Sequence, residues 1–437
     1  MPQPDSPEKS HNPYAAIAEP NYRAYAGGWV FSALGYQMQS MALGWEIWHR
    51  TNSALALGMI GLAQAMPVII FALPGGHLAD RRDRRTIVFW GQIGYTVASL
   101  GLLCLSMFAA PVWLMYLVML CNGVIKSING PARSALLPEL IPPSVFHNAV
   151  TWNSGVFHAS AMVGPIVAGL LIHASGAAWP VYACAAAGAF IFAMSLRFLK
   201  PVGRGRERKQ NGAGDRGLRA MTAGARYIWQ EKIILSAITL DLFAVLFGGA
   251  SALFPVYADE ILHVGPVGLG CLRAAPFIGA LLMAVVLAHR PPFERSGRAL
   301  LFSVAAFGVA TIGFGFSTNF WLSIALLATA GAVDNISVVI RHVLVQARTP
   351  DELRGRVAAV NSIFIESSNE LGSFESGIVA RLFGPVFSVV SGGIGTMLVV
   401  AGVAWLWPQV RTLGRLRLPE EEIEETPEQA EEERALT

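Results

Sequence analysis

Charge is what this sequence has least of. Asp, Glu, Lys and Arg make up 14% of its 437 residues, whereas a soluble domain carries charge on roughly a quarter. With 54% hydrophobic residues, an ordinary water-exposed surface cannot be built, which excludes a soluble fold. Cysteine is scarce as well. Cys104, Cys121, Cys184 and Cys271 each sit in an apolar run without CxxC spacing or a nearby His pair, so they read as small core residues, not as disulfide partners or metal ligands. Walker A, HExxH and nucleophile-elbow sequences are missing, which leaves ATP-driven pumping and hydrolysis without their residues. No enzyme activity, cofactor or metal is expected. Met1 to Tyr22 lacks the apolar core and small-residue site of a cleaved signal, so no removal is expected.

What the sequence does contain is a series of apolar blocks near the length of about 20 residues that crosses the bilayer core. They lie near 22–48, 54–77, 86–108, 111–131, 145–172 and 178–199, then near 233–257, 266–288, 299–317, 320–340, 357–380 and 385–407. The expected fold is an all-α membrane protein of twelve transmembrane helices in two six-helix bundles. The expected organisation is a tail over 1–21, a first bundle over 22–199, a linker over 200–232, a second bundle over 233–407 and an acidic tail over 408–437. The net charge of +3 hides where the charges lie, and nothing in it points to nucleic acid as a partner. Arg81, Arg82, Arg84 and Arg85, Arg133, the basic stretch Lys200 to Arg219, Arg290 to Arg298, and Arg348 to Arg356 fall in alternate loops. Basic short loops stay cytoplasmic, so both termini are expected inside, in the inner membrane of a bacterium. The Glu-rich stretch from Glu420 to Glu433 reads as a solvated, disordered tail.

The halves repeat. Gly61, Leu62, Gln64, Ala65 and Pro67 align with Gly270, Leu272, Arg273, Ala274 and Pro276, at an offset of 209 (270 minus 61) except for the leucine pair, which is shifted by one. Arg133, Pro142, Asn153, Ser154 and Gly164 align with Arg341, Pro350, Asn361, Ser362 and Gly372 at an offset of 208 (341 minus 133). An even number of spans per half makes this a direct repeat about an axis along the membrane normal, with a substrate site between the halves near the midplane.

Gly75-Gly76-His77-Leu78-Ala79-Asp80-Arg81-Arg82-Asp83-Arg84-Arg85 resembles the loop motif of the major facilitator superfamily, with Asp83 where a Gly is usual. Pro131 to Leu140, Arg341 to Gln346 and Thr349 to Gly377 are similar to the enterobactin-exporter-like branch, which is associated with proton-driven efflux of siderophores and drugs. The resemblance covers about 22 to 410. It implies the major facilitator fold and a cytoplasmic gate, with Gly76 and Asp80 contacting the start of the eleventh span near Val357 and with Arg81, Arg84, Arg133 and Arg341 around it. Gly76 permits close helix approach, and Asp80 suits the unpaired amides of a helix N-terminus. It also implies that Gly164-Pro165 is a packing hinge, where Pro breaks one backbone bond.

Ionisable groups inside spans are costly and mark a pathway or a buried pair. Ser362, Glu366, Asn369, Ser373 and Ser376 share one face of the eleventh span. Glu366 and Glu370 are one turn apart, so their like charges favour one of them holding a proton. The proton-coupling candidates are Glu366 first, then Glu370, Asp241 and His158, each with a fixed structural hydrogen bond or ion pair as its alternative. Lys126 is expected to pair across the halves in one state only. Asp334 reads as interfacial. Arg273 and Glu375 lie at similar depth, which makes a salt bridge between them plausible. The substrate-cavity candidates are Arg273, Gln37, Trp152, Asn153, Asn361, Asn369 and Lys126, with Met38 and Gln39 beside Gln37.

The function expected is secondary active export of an amphipathic small molecule, siderophore or drug-like, by alternating access with protons moving inward. Substrate, protons and the lipid bilayer are the expected partners, with the protein a monomer. Lipid or lysolipid movement and a non-transporting membrane sensor of the same fold are the alternatives.

Overall fold

A computed structural model of the protein describes residues 12–199, 217–248, 250–291 and 293–414. The tail positions 1–11, most of the linker and the acidic C-terminal stretch therefore lie outside the described residues. So do the side chains of 72–77 and 79–81, which include Gly76, Asp80 and Arg81.

Twelve long helices follow in order: α1 (Pro20–Thr51), α2 (Ala54–Arg81), α3 (Arg84–Met107), α4 (Val112–Leu140), α5 (Phe146–Ser175), α6 (Trp179–Arg197), α7 (Lys232–Phe247), α8 (Gly265–Ala288), α9 (Ser296–Phe316), α10 (Phe320–Arg348), α11 (Asp351–Phe383) and α12 (Pro385–Leu406). A further helix, Gly217–Gln230, connects the halves. Among the described residues ten are long and apolar enough to cross a membrane, α7 being counted together with the turns that continue it to Ile261. The other two, α1 and α11, span 32 and 33 residues and are more polar, because both turn a face to the central cavity described below. Several helices overrun the apolar blocks: α2 stays helical through Arg81, past the expected block end at 77, and only Arg82 and Asp83 break the chain before α3. Asp83 caps that helix, its carboxylate accepting from the Thr86 amide at 2.9 Å, which is why this helix starts where it does.

The duplication is visible in the packing. In the first half α1 packs on α5 and α6, α2 on α4, and α3 on α4 and α6; in the second, α7 packs on α11 and α12, α8 on α10, and α9 on α10 and α12. Adding six to each number converts one set into the other. The principal contacts between halves obey the same rule, α2 against α11 and α8 against α5. Matched glycines make these seams. A Cβ on Gly61 would stand 2.4 Å from the Glu370 carbonyl oxygen, and one on Gly270 would stand 2.4 Å from the Pro165 carbonyl oxygen. Within each half the aligned pair Gly164 and Gly372 seats α5 on Leu34 and Gln37 of α1, and α11 on Val245 and Leu246 of α7.

These close approaches join 54–61 to 370–377 and 165–169 to 266–270. They all lie in the part of the molecule away from the face that carries residues 12 and 414. The far face is therefore sealed, and Trp48 adds a strap there by donating from Nε1 to Asp259 across the halves at 2.9 Å.

The outside is apolar, as a bilayer requires. Val97, Leu117, Phe190, Phe302 and Leu398 are exposed along the spans, while Trp113, Trp179 and Trp321 near helix starts, and Trp405 near a helix end, mark the two interfaces. Cys104, Cys121 and Cys184 are exposed and Cys271 only half-buried, which corrects their reading as core residues: an apolar residue of a spanning helix is as well placed against lipid as against protein.

One buried ionic cluster was not legible in the sequence. Glu46 of α1, 6% exposed at its side chain, pairs with Arg50 at 2.5 Å and accepts from the Tyr182 hydroxyl of α6 at 2.7 Å. Arg50 is a last-turn residue of α1, not a loop residue, and donates to the carbonyls of Ser106 and Ala110 where α3 ends. Removing one partner of a buried pair strands the other charge. Arg50→Ala is therefore expected to lower stability by on the order of 3 kcal/mol, and Tyr182→Phe by about 1 kcal/mol for one lost hydrogen bond. Thermal unfolding in detergent would show this order, and the reverse order would contradict the assignment.

Candidate functional site

Between the halves, at the depth where the seams end, lies a cavity of about 450 Å³. The first half contributes Tyr36, Gln37, Ser40 and Gly44 of α1, with Leu57 to Gln64 of α2 and Pro165 of α5; the second contributes Asp241 and Gly248, Arg273, Asp334, and Asn369, Glu370 and Ser373. The helix period explains the α1 set, since 36, 37, 40 and 44 fall on one face. Gln39, turned away from it, is buried and accepts from Ser99 of α3 at 2.6 Å, and Met38 is buried in the apolar core. Of the three neighbours expected at the cavity, only Gln37 reaches it.

Three carboxylates and one arginine line the space, and they differ in how their charge is met. Asp241 is paired with Arg341 of α10, and both are nearly buried, 8% and 12% exposed. This gives Arg341 a partner inside its own half and removes it from the gate set. Arg273 donates to Ser40 across the halves at 3.2 Å, while its Nε is buried without a hydrogen-bond partner. Its expected bridge to Glu375 does not form: Glu375 instead lies beside the Ser376 hydroxyl at 3.5 Å. Asp334 and Glu370 carry no hydrogen bond or ion pair to a described residue. Asp334 is fourteen residues into α10 (334 minus 320), or about 21 Å along it, so it faces the cavity and is not interfacial.

The polar face of α11 divides. Asn369, Glu370 and Ser373 line the cavity, whereas Ser376 is buried under α12, its carbonyl accepting from Ser388 at 2.9 Å. Glu366, a turn toward the termini face, is 46% exposed and lies 3.3 Å from Lys126 of α4. That ion pair does cross the halves. Asn361 lies further along the same helix, outside the cavity lining.

Other candidates sit elsewhere. Trp152 donates to the Pro13 carbonyl at 3.0 Å and lies against the Tyr14 ring, tilted, with centroids 5.9 Å apart, because α5 begins at Phe146 and the residue is less than two turns in. Asn153 and His158 line a second, separate space of about 420 Å³ between α1, α4 and α5. His158 Nδ1 meets the Ser154 carbonyl at 2.8 Å, the local contact given as its alternative. Among the gate candidates, Arg84 bonds Ala135 and Glu139 of its own half at 2.8 Å, and Arg133 stacks on Trp29 of α1 at 3.7 Å. Val357 is buried among Ile228 of the connecting helix and Ile234 and Ile238 of α7. The described gate residues thus brace single bundles and do not bridge them.

The chain matches the model of a family described as transmembrane secretion effector over residues 11–432. Enterobactin exporter EntS of Escherichia coli O1:K1 / APEC is 23% identical over 384 residues, covering 87% of this chain and 90% of that one, and the exporter of the same name from Shigella boydii serotype 18 aligns equally well. Among solved structures, a bacterial homologue of the human lysosomal transporter Spinster, in an inward-facing and unoccupied conformation, superimposes with a TM-score of 0.69 at 13% identity, over 91% of this chain and 99% of that one. A D-xylose–proton symporter does so with a TM-score of 0.67 at 15% identity, over 92% and 100%. At these identities the structures speak for the fold alone.

Proposed function

Because the chain belongs to the transmembrane secretion effector family of major facilitator transporters, a non-enzymatic family, we propose that this multi-pass transporter exports an amphipathic small molecule, siderophore-like or drug-like, in exchange for protons. The observation that carries this reading is the cavity between the bundles, sealed on the far face and lined by Asp334 and Glu370, two carboxylates without a described partner. Carboxylates in such a place are stable when protonated or when they hold a cationic or hydrogen-bonding group of a ligand. Proton and substrate then compete for the same oxygens, which is the requirement for exchange.

The basic loops support a cytoplasmic termini face, and with that orientation the sealed far face corresponds to an inward-facing state. Substrate enters between the bundles, displaces protons from Glu370 and Asp334, and leaves outward after the seams α2–α11 and α5–α8 part. Arg273, bridging to Ser40 of the other half, registers whether the halves are together. Lys126–Glu366 is a light strut: a pair as exposed as 30% and 46% contributes less than about 1 kcal/mol, little enough to break in every cycle. The EntS relatives' substrate chemistry supports a siderophore-like cargo.

Purified protein in proteoliposomes with an imposed pH gradient tests the reading. A panel of siderophores, hydrophobic cations and lysolipids is expected to give gradient-driven flux for at least one of the first two classes. Equal flux of every compound with and without the gradient would end the proposal of exchange, and lysolipid flux alone would favour the lipid alternative.

A further inference from the structure

We propose that the second space, between α1, α4 and α5, is a distinct binding site for an aromatic acid, a planar ring carrying an acidic group. It is built from Arg133, Trp29, Tyr25, Asn153, Phe146 and Phe157. The repeat shows why its charge needs a ligand. Arg133 and Arg341 occupy equivalent positions, and each reaches the first helix of its own half. Arg341 meets Asp241 there. Arg133 meets the indole face of Trp29, and among the described residues no carboxylate lies within ion-pair distance of it. Arg133 and Asn153 both hydrogen-bond the Tyr25 side chain; the stacked guanidinium retains its remaining edge donors and its second face, which suit a carboxylate and an aromatic ring respectively.

Two further polar atoms in the same space are buried and unpaired: the Trp29 Nε1 donor and the Asn153 Oδ1 acceptor. Buried polar groups are ordinarily satisfied, so a donor and an acceptor left open beside an arginine that meets no carboxylate among the described residues describe the complement of a ligand with an acidic oxygen and a hydrogen-bonding N–H or O–H. Phe146 and Phe157, both about two-fifths exposed, supply an apolar wall. The site lies toward the termini face of the central cavity on the same two helices: Trp29 is eight residues before Gln37, and Asn153 eight before Ala161, each about 12 Å of rise. It is a station on the way in, present in one half only because Asp241 neutralises its counterpart in the other.

The test is binding, which needs no transport, so it stands or fails separately from the exchange reading. Equilibrium dialysis of full-length protein in phosphatidylcholine nanodiscs would compare 2-naphthoate with its neutral carboxamide. Wild type is expected to favour the acid by about tenfold, as for a charge-assisted bond. Arg133→Gln is expected to remove that preference while carboxamide binding persists, which also reports that the variant is folded. Trp29→Phe, losing only the indole donor beside a kept ring, is expected to weaken acid binding by roughly threefold, and Arg273→Gln in the central cavity to leave the preference in place. Four results would overturn the site: equal binding of acid and carboxamide, a preference that survives Arg133→Gln, one that vanishes with Arg273→Gln instead, or unchanged acid affinity in Trp29→Phe. Loss of naphthoate binding in phosphatidylglycerol discs would assign the space to a lipid headgroup and overturn it as well.

Discussion

Glu370→Gln and Asp334→Asn are each expected to cut the stimulation of transport by a pH gradient by more than about tenfold, the scale of a coupling free energy of 1–3 kcal/mol. Substrate exchange without a gradient should weaken, because substrate uses the same oxygens, and persist in each single variant through the carboxylate that remains. A carboxamide copies the shape and neutrality of a protonated carboxyl group but cannot release the proton, so the variants are fixed in the loaded state. Both side chains face the cavity without a described partner, which separates them from Asp241, held by Arg341. Asp241→Asn is expected to act differently: it strands a nearly buried Arg341 and should lower stability on the order of 3 kcal/mol. Proteoliposome flux together with thermal unfolding distinguishes the two behaviours. Full gradient stimulation in both Glu370→Gln and Asp334→Asn would remove these residues from the coupling.

The second large effect concerns the seams. Gly61→Leu or Gly270→Leu places a side chain where a Cβ alone would stand 2.4 Å from a carbonyl oxygen of the opposite half. Overpacking costs roughly 1–3 kcal/mol, and here the halves can escape it by parting. The population of the sealed state should therefore fall by on the order of tenfold or more, and transport with it, because a carrier held in one state does not cycle. Gly164→Leu is the contrast. Its neighbours are Leu34 and Gln37 of its own bundle, so it should reduce stability without favouring either state. Bis-maleimide cross-linking of cysteines introduced at 48 and 259, whose native side chains meet across the far face, with Cys104, Cys121, Cys184 and Cys271 replaced, checks this: yield should drop in the Gly61 and Gly270 variants and hold in the folded fraction of the Gly164 variant.

Much of this fold could be read from residue order because a bilayer imposes a strict pattern. Apolar blocks of spanning length gave the helices, and the offsets of 209 between Gly61 and Gly270 (270 minus 61) and 208 between Gly164 and Gly372 (372 minus 164) marked positions that the packing makes equivalent. Pairings within the site were less legible, since depth along a span is a one-dimensional quantity and contact needs the neighbour relation too. Arg273 and Glu375 share a depth, but α8 packs against α10 and α5, while α11 packs against α2 and α7. Asp241 and Arg341 find each other through the α7–α10 contact, which nothing in either segment announces. The basic residues after Asp334 suggest a membrane edge beside it, whereas α10 stays helical to Arg348 and puts Asp334 mid-helix. Glu46 passed unnoticed because a single carboxylate between Trp45 and Ile47 has no local pattern. Its partners, Arg50 excepted, come from other helices.

The central claim is that two rigid bundles exchange a seal on one face for a seal on the other. Distances between paired spin labels, at Ser175 and Phe383 across the far face and at Glu139 and His289 across the termini face, test it most directly. The account predicts two populations for each pair, with Gly61→Leu lengthening the first distance as it shortens the second. Distances that stay single in all variants, or that lengthen on both faces together, would contradict it.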